Sequence, residues 1–455
     1  MEKSYYNLTP AQNLLIFSQT FSLHRQINNI STMLLIEGSI DLEVLKNAVL
    51  KTYKRMDNMR VRLTKRKGKS VQYFLDEEEP YMEDLDLSGK TQEEVDKYFG
   101  SLASKRVTYY NKPLSRIYFL KNCTGYNGIF LVVSHLILDS WGICVFYKDI
   151  MAVYEAMVNN KELPPPPVSY KELMLKDLEY KTSPKYVKDR DFWRKQFTKD
   201  NEPIFTHING PEILDRARKK HKNPDYRSAG ATGFFKPEAT HEICIIPKET
   251  AEKMASFSRE KRVPIQTLVM LGIRTYLSKA NRMEKDITFY SSVARRGTLA
   301  EKNSGGTRVH FVPLRTVMSE EKTFVEALEE FTSKQNEAYR HSEYDPIEYF
   351  KLFTEQYKTR TAYSCCSTTF QPVPMYGPNG MKIHTKWYCN GTAGIQLYLT
   401  IMDDDGSGAL RCYYEYQYKV ISKEGIHRFH NGILKVIEAG LENENITLGE
   451  LLALV

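Results

Sequence analysis

The sequence predicts an α/β protein built as two lobes that a connector joins. Segments with the apolar pattern of strands are interspersed with segments whose apolar residues recur every three or four positions, as they do in amphipathic helices. With 455 residues, the chain is long enough for two or three domains of ordinary size. A run of four prolines, residues 164–167, interrupts the pattern and predicts an extended connector.

The first part of the chain contains the clearest pair of a strand and a helix. Residues 128–133 are apolar without a break, which is typical of a strand buried on both faces. From Ile143 to Met157, apolar residues recur at helical spacing. The loop between these elements is therefore held at both ends, so its side chains can be positioned rigidly. Further strands are predicted at 33–40 and 115–121, and a further helix at 41–56.

The second part of the chain alternates in the same way. Residues 395–404 and 410–417 are predicted as paired strands around the turn sequence Asp-Asp-Gly-Ser-Gly. A long loop rich in Gly, Asn and Pro is predicted at about 201–237. The other predicted strands are 241–247 and 286–293, and the predicted helices are a polar region ending near 197, then 250–260, 264–280, 323–341 and 425–443.

Composition and charge argue against several classes of protein. No apolar run approaches the roughly 18 residues of a membrane span, and the N-terminus lacks the apolar core of a secretory signal. The net charge is +8, with basic clusters at 64–69 and 216–222, but no nucleic-acid-binding signature accompanies them. The seven cysteines have neither C-x-x-C nor zinc-ligand spacing, which predicts reduced thiols in a cytoplasmic protein without a metal site.

One short stretch stands out chemically. In "LVVSHLILDSWG", residues 131–142, the apolar strand ends at His135, and Asp139 follows four residues later. An imidazole and a carboxylate next to a buried strand need either partners or a function. Each of the two residues also has a purely structural explanation. His135 would close the strand without a chemical role, and Asp139 would cap the following helix from an exposed position.

This stretch resembles the His-His-x-x-x-Asp-Gly signature of condensation domains from nonribosomal peptide synthetases, a branch of the chloramphenicol-acetyltransferase-like acyltransferases. Ser134 stands where the family has its first histidine, and Ser140 stands where it has glycine. The resemblance covers nearly the whole chain, because further segments match in the family's order. These segments are 8–17, 54–63 with Arg55, 191–197 with Trp193, 291–315 with Arg295 and Arg315, and 341–350.

The resemblance implies a pseudo-dimer of two chloramphenicol-acetyltransferase-like lobes in a V shape, with a channel between them. Residues 1–172 would form the lobe that carries the His135 loop, and residues 173–455 would form the other lobe. The implied reaction is amide formation between an acyl or aminoacyl thioester and an acceptor amine, in nonribosomal peptide or lipopeptide synthesis. The thioester would arrive on the phosphopantetheine arm of a carrier protein, or on coenzyme A, with no permanently bound cofactor and no metal.

The resemblance also implies roles for the motif residues. His135 would act on the acceptor amine, either as a general base or by positioning it, since an ordinary histidine pKa of about 6.5 suits proton transfer. No nucleophilic serine is needed, because a thioester is already activated, and the sequence contains no G-x-S-x-G elbow. Asp139 would face the protein and pair with an arginine, for which Arg295 is the first choice and Arg55 and Arg315 are rivals.

Four neighbouring residues complete the predicted site. The hydroxyl of Ser134 can replace one local hydrogen bond of the missing histidine. Ser140 would be strained by about 1–2 kcal/mol if its position requires a positive φ. Trp141 and Gly142 are assigned to the loop, and Trp141 is interpreted as core packing in preference to substrate contact.

Three functions remain open from the sequence. The first is a condensation domain acting between carrier-bound groups, as a monomer or as one module of a larger synthetase. The second is a free-standing acyltransferase that acylates a small diffusible amine or alcohol. The third is a catalytically silent platform of the same fold that docks carrier proteins or tailoring enzymes, an interpretation that Ser134 and Ser140 favour and that His135 and Asp139 oppose. In the first and third, the basic clusters would suit an acidic carrier protein; no nucleic acid or membrane partner is expected.

Overall fold

The computed structural model describes residues 4–229, 237–359, 362–371, 375–403 and 406–455, and its mixed helices and sheets confirm the α/β fold class. The helices are α1 (Pro10–Phe21), α2 (Leu42–Arg55), α3 (Gln92–Ala103), α4 (Ser140–Val158), α5 (Tyr170–Glu179), α6 (Pro184–Gln196), α7 (Glu212–His221), α8 (Lys248–Lys261), α9 (Ile265–Ala280), α10 (Leu299–Lys302), α11 (Phe324–Arg340), α12 (Pro346–Tyr357), α13 (Lys423–Glu442) and α14 (Leu448–Leu454). The strands are β1 (Tyr6–Asn7), β2 (Asn29–Ile36), β3 (Val61–Arg66), β4 (Lys69–Phe74), β5 (Met82–Asp86), β6 (Ser115–Cys123), β7 (Tyr126–Ser134), β8 (Thr240–Ile246), β9 (Asp286–Val293), β10 (His310–Val317), β11 (Cys366–Gln371), β12 (Ile383–Tyr388), β13 (Leu397–Met402) and β14 (Leu410–Tyr416).

The described strands form two large sheets and one small one. The first large sheet has the order β12-β2-β7-β6-β5, and the second has the order β10-β9-β11-β13-β14-β8. The small sheet has the order β1-β4-β3, and its strand β3 contributes Val61 and Leu63 to the same core as the first sheet. Each large sheet has its own apolar core: one is built mainly from residues 8–174 and the other from residues 193–451. These two cores correspond to the two lobes.

Strand β7 lies inside the first sheet because its sequence leaves it no polar face. It pairs antiparallel with β2 on one side and with β6 on the other. Residues 129–133 are fully buried, as the unbroken apolar run predicts. Helices α2 and α4 pack against each other in the same lobe. The strand is therefore a fixed support for the loop that follows it.

A strand from the second half of the chain completes the sheet of the first lobe. Strand β12 pairs antiparallel with β2, so that Ile383 lies opposite Ile36 and Tyr388 lies opposite Ser31. Without β12, the backbone groups along one side of β2 would be left unpaired. The predicted boundary at residue 172 does not anticipate this exchange, because it assigns residues 383–388 to the other lobe.

Most predicted elements lie within a few residues of the observed ones. The helix predicted from Ile143 begins three residues earlier, at Ser140, because Asp139 caps it. The long loop predicted at about 201–237 contains α7, and its residues 230–236 lie outside the described residues. Strands β13 and β14 pair as predicted, but residues 404–405 of their turn also lie outside the described part. In the described part of the chain, no helix is long and apolar enough to cross a membrane.

Gly128 tests how tightly β7 is packed. A Cβ atom at this position would lie 2.0 Å from the carbonyl oxygen of Leu34 in β2, so any side chain would push the two strands apart. We expect Gly128→Ala to lower the free energy of unfolding, measured in urea, by about 2–3 kcal/mol. Gly100→Ala is the control, because nothing lies within 4 Å of its Cβ position in α3, and it should stabilise the protein by about 0.5–1 kcal/mol. Equal effects of the two substitutions would contradict the assignment of β7 as a closely packed central strand.

Candidate active site

His135 occupies the first position after β7, and both lobes hold its backbone. Its N–H donates to the carbonyl oxygen of Asn28 at 2.7 Å. Its own carbonyl oxygen accepts a hydrogen bond from the hydroxyl of Thr307, a residue of the second lobe. The next residue is fixed in the same way, since Gln12 donates to the carbonyl oxygen of Leu136 at 3.0 Å. The backbone that carries the imidazole is thus anchored on several sides.

The imidazole of His135 is half-buried and lines a cavity between the lobes. Its Nδ1 atom is buried and has no hydrogen-bond partner of regular geometry among the described residues. Burial lowers the pKa of His135 below the ordinary value of 6.5, while the negative charge of Asp139 and the residue's own carbonyl act in the opposite direction. A histidine in this environment is neutral near pH 7 and can accept a proton.

Asp139 faces the protein interior, with only 2% of its surface exposed. The guanidinium of Arg296 donates to both carboxylate oxygens, at 2.8 and 2.9 Å. The backbone N–H groups of Arg308 and Gly142 add bonds of 2.9 and 2.8 Å. Burial alone would raise the pKa of Asp139, but the charge and hydrogen bonds of Arg296 and the two backbone donors outweigh it and lower the pKa. Asp139 is therefore both a helix cap and a buried ion-pair partner.

The choice of Arg295 as the partner of Asp139 was wrong, and the partner is the adjacent Arg296. Arg295 has a φ of +54° and donates to Asp177 at 2.7 Å, so its side chain leaves the backbone in another direction. The two rivals also have other partners: Arg55 pairs with Asp149, and Arg315 pairs with Asp286. In such an irregular segment, a pattern in the sequence cannot distinguish two adjacent arginines.

The two serines fit the loop without the strain considered from the sequence. Ser134 is fully buried, and its hydroxyl accepts a hydrogen bond from the N–H of Leu136 at 3.3 Å. Ser140 is the first residue of α4 and is not among the residues with positive φ, so serine needs no left-handed backbone there. Its hydroxyl oxygen accepts a hydrogen bond from Gln371 of β11, and both side chains line the cavity.

Trp141 and Gly142 serve packing. The indole N–H of Trp141 donates to the carbonyl oxygen of Lys302 at 2.9 Å, and its ring packs against the first core, as predicted. A Cβ atom at Gly142 would lie 2.8 Å from the side chain of Leu138 and 2.9 Å from the carbonyl oxygen of Gly306. Glycine is therefore required where α4 meets the second lobe.

The cavity beside His135 has a volume of about 450 Å³ and is lined by both lobes. The first lobe contributes α1, residues 27–31 and the His135 loop. The second contributes one face of its sheet, because side chains alternate between the two faces of a strand. On β13 and β14, that face carries Tyr398, Thr400, Met402, Tyr413 and Glu415. The volume is within the range of pockets that take small-molecule substrates.

Few ionisable side chains interrupt this mostly apolar and aromatic wall. Among the described lining residues there is one carboxyl, Glu415, there are two imidazoles, His135 and His241, and there is no lysine or arginine. Burial raises the pKa of Glu415 to about 7, while a hydrogen bond with Cys389 acts in the opposite direction. In the described part of the chain, no group of three or more His, Cys, Asp and Glu residues could hold a metal ion.

Several residues of this site were missed by sequence reasoning. Arg296, Thr307 and Arg308 lie in the segment that had been matched as a whole, but the pattern gave their side chains no role. Glu415 had a usable signal, because it is the only acidic residue in "RCYYEYQ" and lies two positions from Tyr413, a tyrosine on the same face. What could not be read was that this face of the strand lines a cavity.

Comparison with known proteins identifies the family, since residues 2–454 match the condensation domain model. The chain belongs to the condensation-domain family. It is 22% identical over 453 residues to one of the plipastatin synthase proteins of Bacillus subtilis (strain 168), covering 99% of this chain and 17% of that protein. It is also 22% identical over 457 residues to surfactin synthase subunit 1 of the same strain, covering 99% of this chain and 12% of that protein. The chain thus spans less than a fifth of the length of each of these relatives.

Two solved condensation domains share the fold. A variant of the starter condensation domain of rhizomide synthetase RzmA, in complex with C8-CoA, superposes with a TM-score of 0.82 at 17% identity, covering 98% of this chain and 97% of that one. The first condensation domain of the calcium-dependent antibiotic synthetase, in complex with a substrate analogue, superposes with a TM-score of 0.81 at 16% identity, covering 98% of both chains. The resemblance inferred from the motif is therefore confirmed for the fold and the family.

The buried ion pair can be tested by removing its cation. We expect Arg296→Met to lower the free energy of unfolding by about 3–5 kcal/mol, because it leaves the Asp139 carboxylate buried without a counter-charge. Urea unfolding measures the effect, and the double variant Asp139→Asn/Arg296→Met should lose clearly less than the sum of the two single variants. Arg282→Met is the control: this arginine is 66% exposed in its pair with Asp215, so the cost should stay below about 1 kcal/mol. Additive effects of the two substitutions at the ion pair would contradict the coupling.

Proposed function

We propose that this condensation domain forms an amide bond between a thioester-bound acyl or aminoacyl group and an acceptor amine. The observation that carries the proposal is the placement of His135: a neutral imidazole lies on the wall of a cavity of substrate size, in a loop braced by the Asp139–Arg296 ion pair. A platform that only docked other proteins would not need an imidazole held in this way.

In the proposed reaction, the nitrogen of the acceptor amine attacks the thioester carbonyl carbon. His135 accepts a proton from that nitrogen, or holds the amine by a hydrogen bond, as the C–N bond forms. The C–S bond of the tetrahedral intermediate then breaks, and the sulfur leaves as a thiol after taking up one proton. The amide and the free thiol are the products, so that no covalent intermediate with the protein is needed.

Ser140 is a candidate donor to the oxygen that becomes negative in this intermediate. Gln371 donates to the Ser140 oxygen, which leaves the hydroxyl proton of Ser140 available for a group in the cavity. The N–H of Gly142, by contrast, already binds Asp139. A hydroxyl donor in place of a backbone donor is consistent with serine at the position where the family has glycine.

We also propose that the thioester arrives on the phosphopantetheine arm of a carrier protein in the cytoplasm. The seven cysteines are free thiols, which suits a reducing compartment. Three basic residues of α7 are exposed and would complement an acidic carrier surface, namely Arg216, Lys219 and Lys220. One structurally similar starter domain was solved in complex with C8-CoA, so acyl-coenzyme A is a second donor to test.

The decisive experiment combines the protein with acyl- and aminoacyl-loaded carrier proteins and with acyl-coenzyme A, and follows the loaded arms by intact mass. We expect His135→Ala to lower the rate of transfer by about 10²–10⁴-fold, the usual contribution of a general base. His384→Ala is the control, because His384 is a surface histidine paired with Glu37 and should leave the rate unchanged. Equal transfer by His135→Ala and wild type would refute the assignment, and absence of transfer with every donor, while carrier binding persists, would favour a silent platform.

The pH dependence tests whether the neutral imidazole of His135 is the active form. Since burial lowers the pKa of His135, its neutral form persists below the ordinary midpoint of 6.5. With an acceptor amine whose own pKa lies well below that of histidine, we expect kcat/KM to stay constant from pH 8 down to about 6.5 and to fall at lower pH as His135 is protonated. The fall should be absent in the residual activity of His135→Ala. A midpoint above 6.5 would contradict the environment described for this imidazole.

A further inference from the structure

A second ionisable group lines the same cavity, on the wall opposite to the first lobe. Glu415 lies near the end of β14, where it is directly opposite Tyr398 of β13 and His241 of β8. Side chains that are opposite each other on neighbouring strands share a face, and all three residues line the cavity. The carboxyl therefore projects from the sheet of the second lobe into the space that His135 reaches from the first lobe.

Glu415 has no cationic partner among the described residues. The side chain that hydrogen-bonds to it is the thiol of Cys389, and no ion pair or hydrogen bond joins it to His241. Arg411 lies on the same face of β14, but four residues away, about 13 Å at the rise of a strand, and it stacks on Tyr413 without lining the cavity. By contrast, Glu242 on the adjacent strand binds Lys423 and His427.

Glu415 is half-buried, and a carboxyl that is partly withdrawn from water without a counter-charge costs stability unless another group compensates for it. Its raised pKa, about 7, has the same cause, since burial favours the neutral acid. Because the carboxyl points into a cavity, the compensating charge can be supplied by a bound molecule. The absence of lysine and arginine from the described lining leaves Glu415 as the strongest available partner for a cation there.

A short chain of contacts connects Glu415 with the reaction centre. The carbonyl oxygen of Asn28 accepts a hydrogen bond from the backbone N–H of His135. The carbonyl oxygen of the next residue, Asn29, accepts a hydrogen bond of 2.9 Å from the side chain of Asn390. Asn390 directly follows Cys389, the contact of Glu415. All of these residues line one cavity, so a single substrate chain can extend from His135 to Glu415.

We propose that Glu415 determines specificity by binding an ammonium group on the acyl or aminoacyl chain of the substrate. The substrate class is a thioester whose chain carries an amine remote from the reacting carbonyl, such as an ω-amino acyl group. This inference rests on the proposed function only in taking the cavity as the site of a thioester-bound chain. The contact is a charge-assisted hydrogen bond in an apolar setting, the strong kind of polar contact.

The experiment compares two thioesters of pantetheine that have almost the same shape, the ε-aminocaproyl and the heptanoyl thioester. Their dissociation constants are measured by isothermal titration calorimetry with the full chain. We expect the wild type to bind the amino compound at least about tenfold more tightly, as one charge-assisted hydrogen bond provides. Glu415→Gln should reduce this preference to less than about twofold, and Glu415→Leu should reverse it in favour of heptanoyl. Glu242→Gln is the matched control and should retain the wild-type preference, because Glu242 is paired outside the cavity.

The results separate this inference from the proposed function. Equal binding of the two thioesters by the wild type, binding of neither, or a preference that survives in Glu415→Leu would overturn the role of Glu415. If the preference follows Glu415 while no donor supports transfer, the ligand assignment stands and the acyltransferase proposal fails. If transfer depends on His135 while the preference is absent, the acyltransferase proposal stands and the ligand assignment of Glu415 fails.

Discussion

The ion pair between Asp139 and Arg296 is the interaction on which the arrangement of the site depends. It joins the loop after β7, in the first lobe, to the segment after β9, in the second. Both carboxylate oxygens have two donors each, so the buried charge is fully compensated. A buried pair of this kind adds little net stability, but it strongly disfavours any arrangement in which one partner is missing. The backbone of His135 is therefore positioned only when both lobes are in place.

The segment after β9 supports this pair by close packing. Gly306 has a φ of +84°, and a Cβ atom there would lie 2.0 Å from the ring of Tyr170. Its carbonyl oxygen accepts hydrogen bonds from the backbone of Asp139 and from Arg296. Two residues further on, Arg308 contacts Asp177 and Glu301, so that its charge is also compensated. Beside the His135 loop, the lobes thus meet through matched charges and a glycine contact.

The sequence allowed the supports of the site to be predicted, but not the contacts between them. The apolar run of β7 and the helical spacing of α4 depend on local patterns, and both elements form where expected. The pairing of β12 with β2 depends on residues more than 300 positions apart, for which no local pattern exists. The choice between Arg295 and Arg296 as the partner of Asp139 depended on the positive φ of Arg295. The position of Glu415 in the cavity depended on which face of the second sheet meets the other lobe. Ser140 was treated as a source of strain only because the family has glycine there, whereas its backbone is that of a helix start.

Burial shifts the pKa values of the two ionisable residues on facing walls of the cavity in opposite directions, and both shifts favour the neutral form. It lowers the pKa of His135 and raises that of Glu415, so both groups favour their neutral forms when the cavity holds no charge. An ammonium group next to Glu415 would favour the carboxylate form of Glu415. The two opposite charges would then compensate each other inside the cavity. An acceptor amine next to His135 would meet a base that is not already protonated. In the proposed complex, the Glu415 carboxylate would keep one nitrogen charged and bound, while the neutral imidazole of His135 would accept a proton from another, reactive nitrogen.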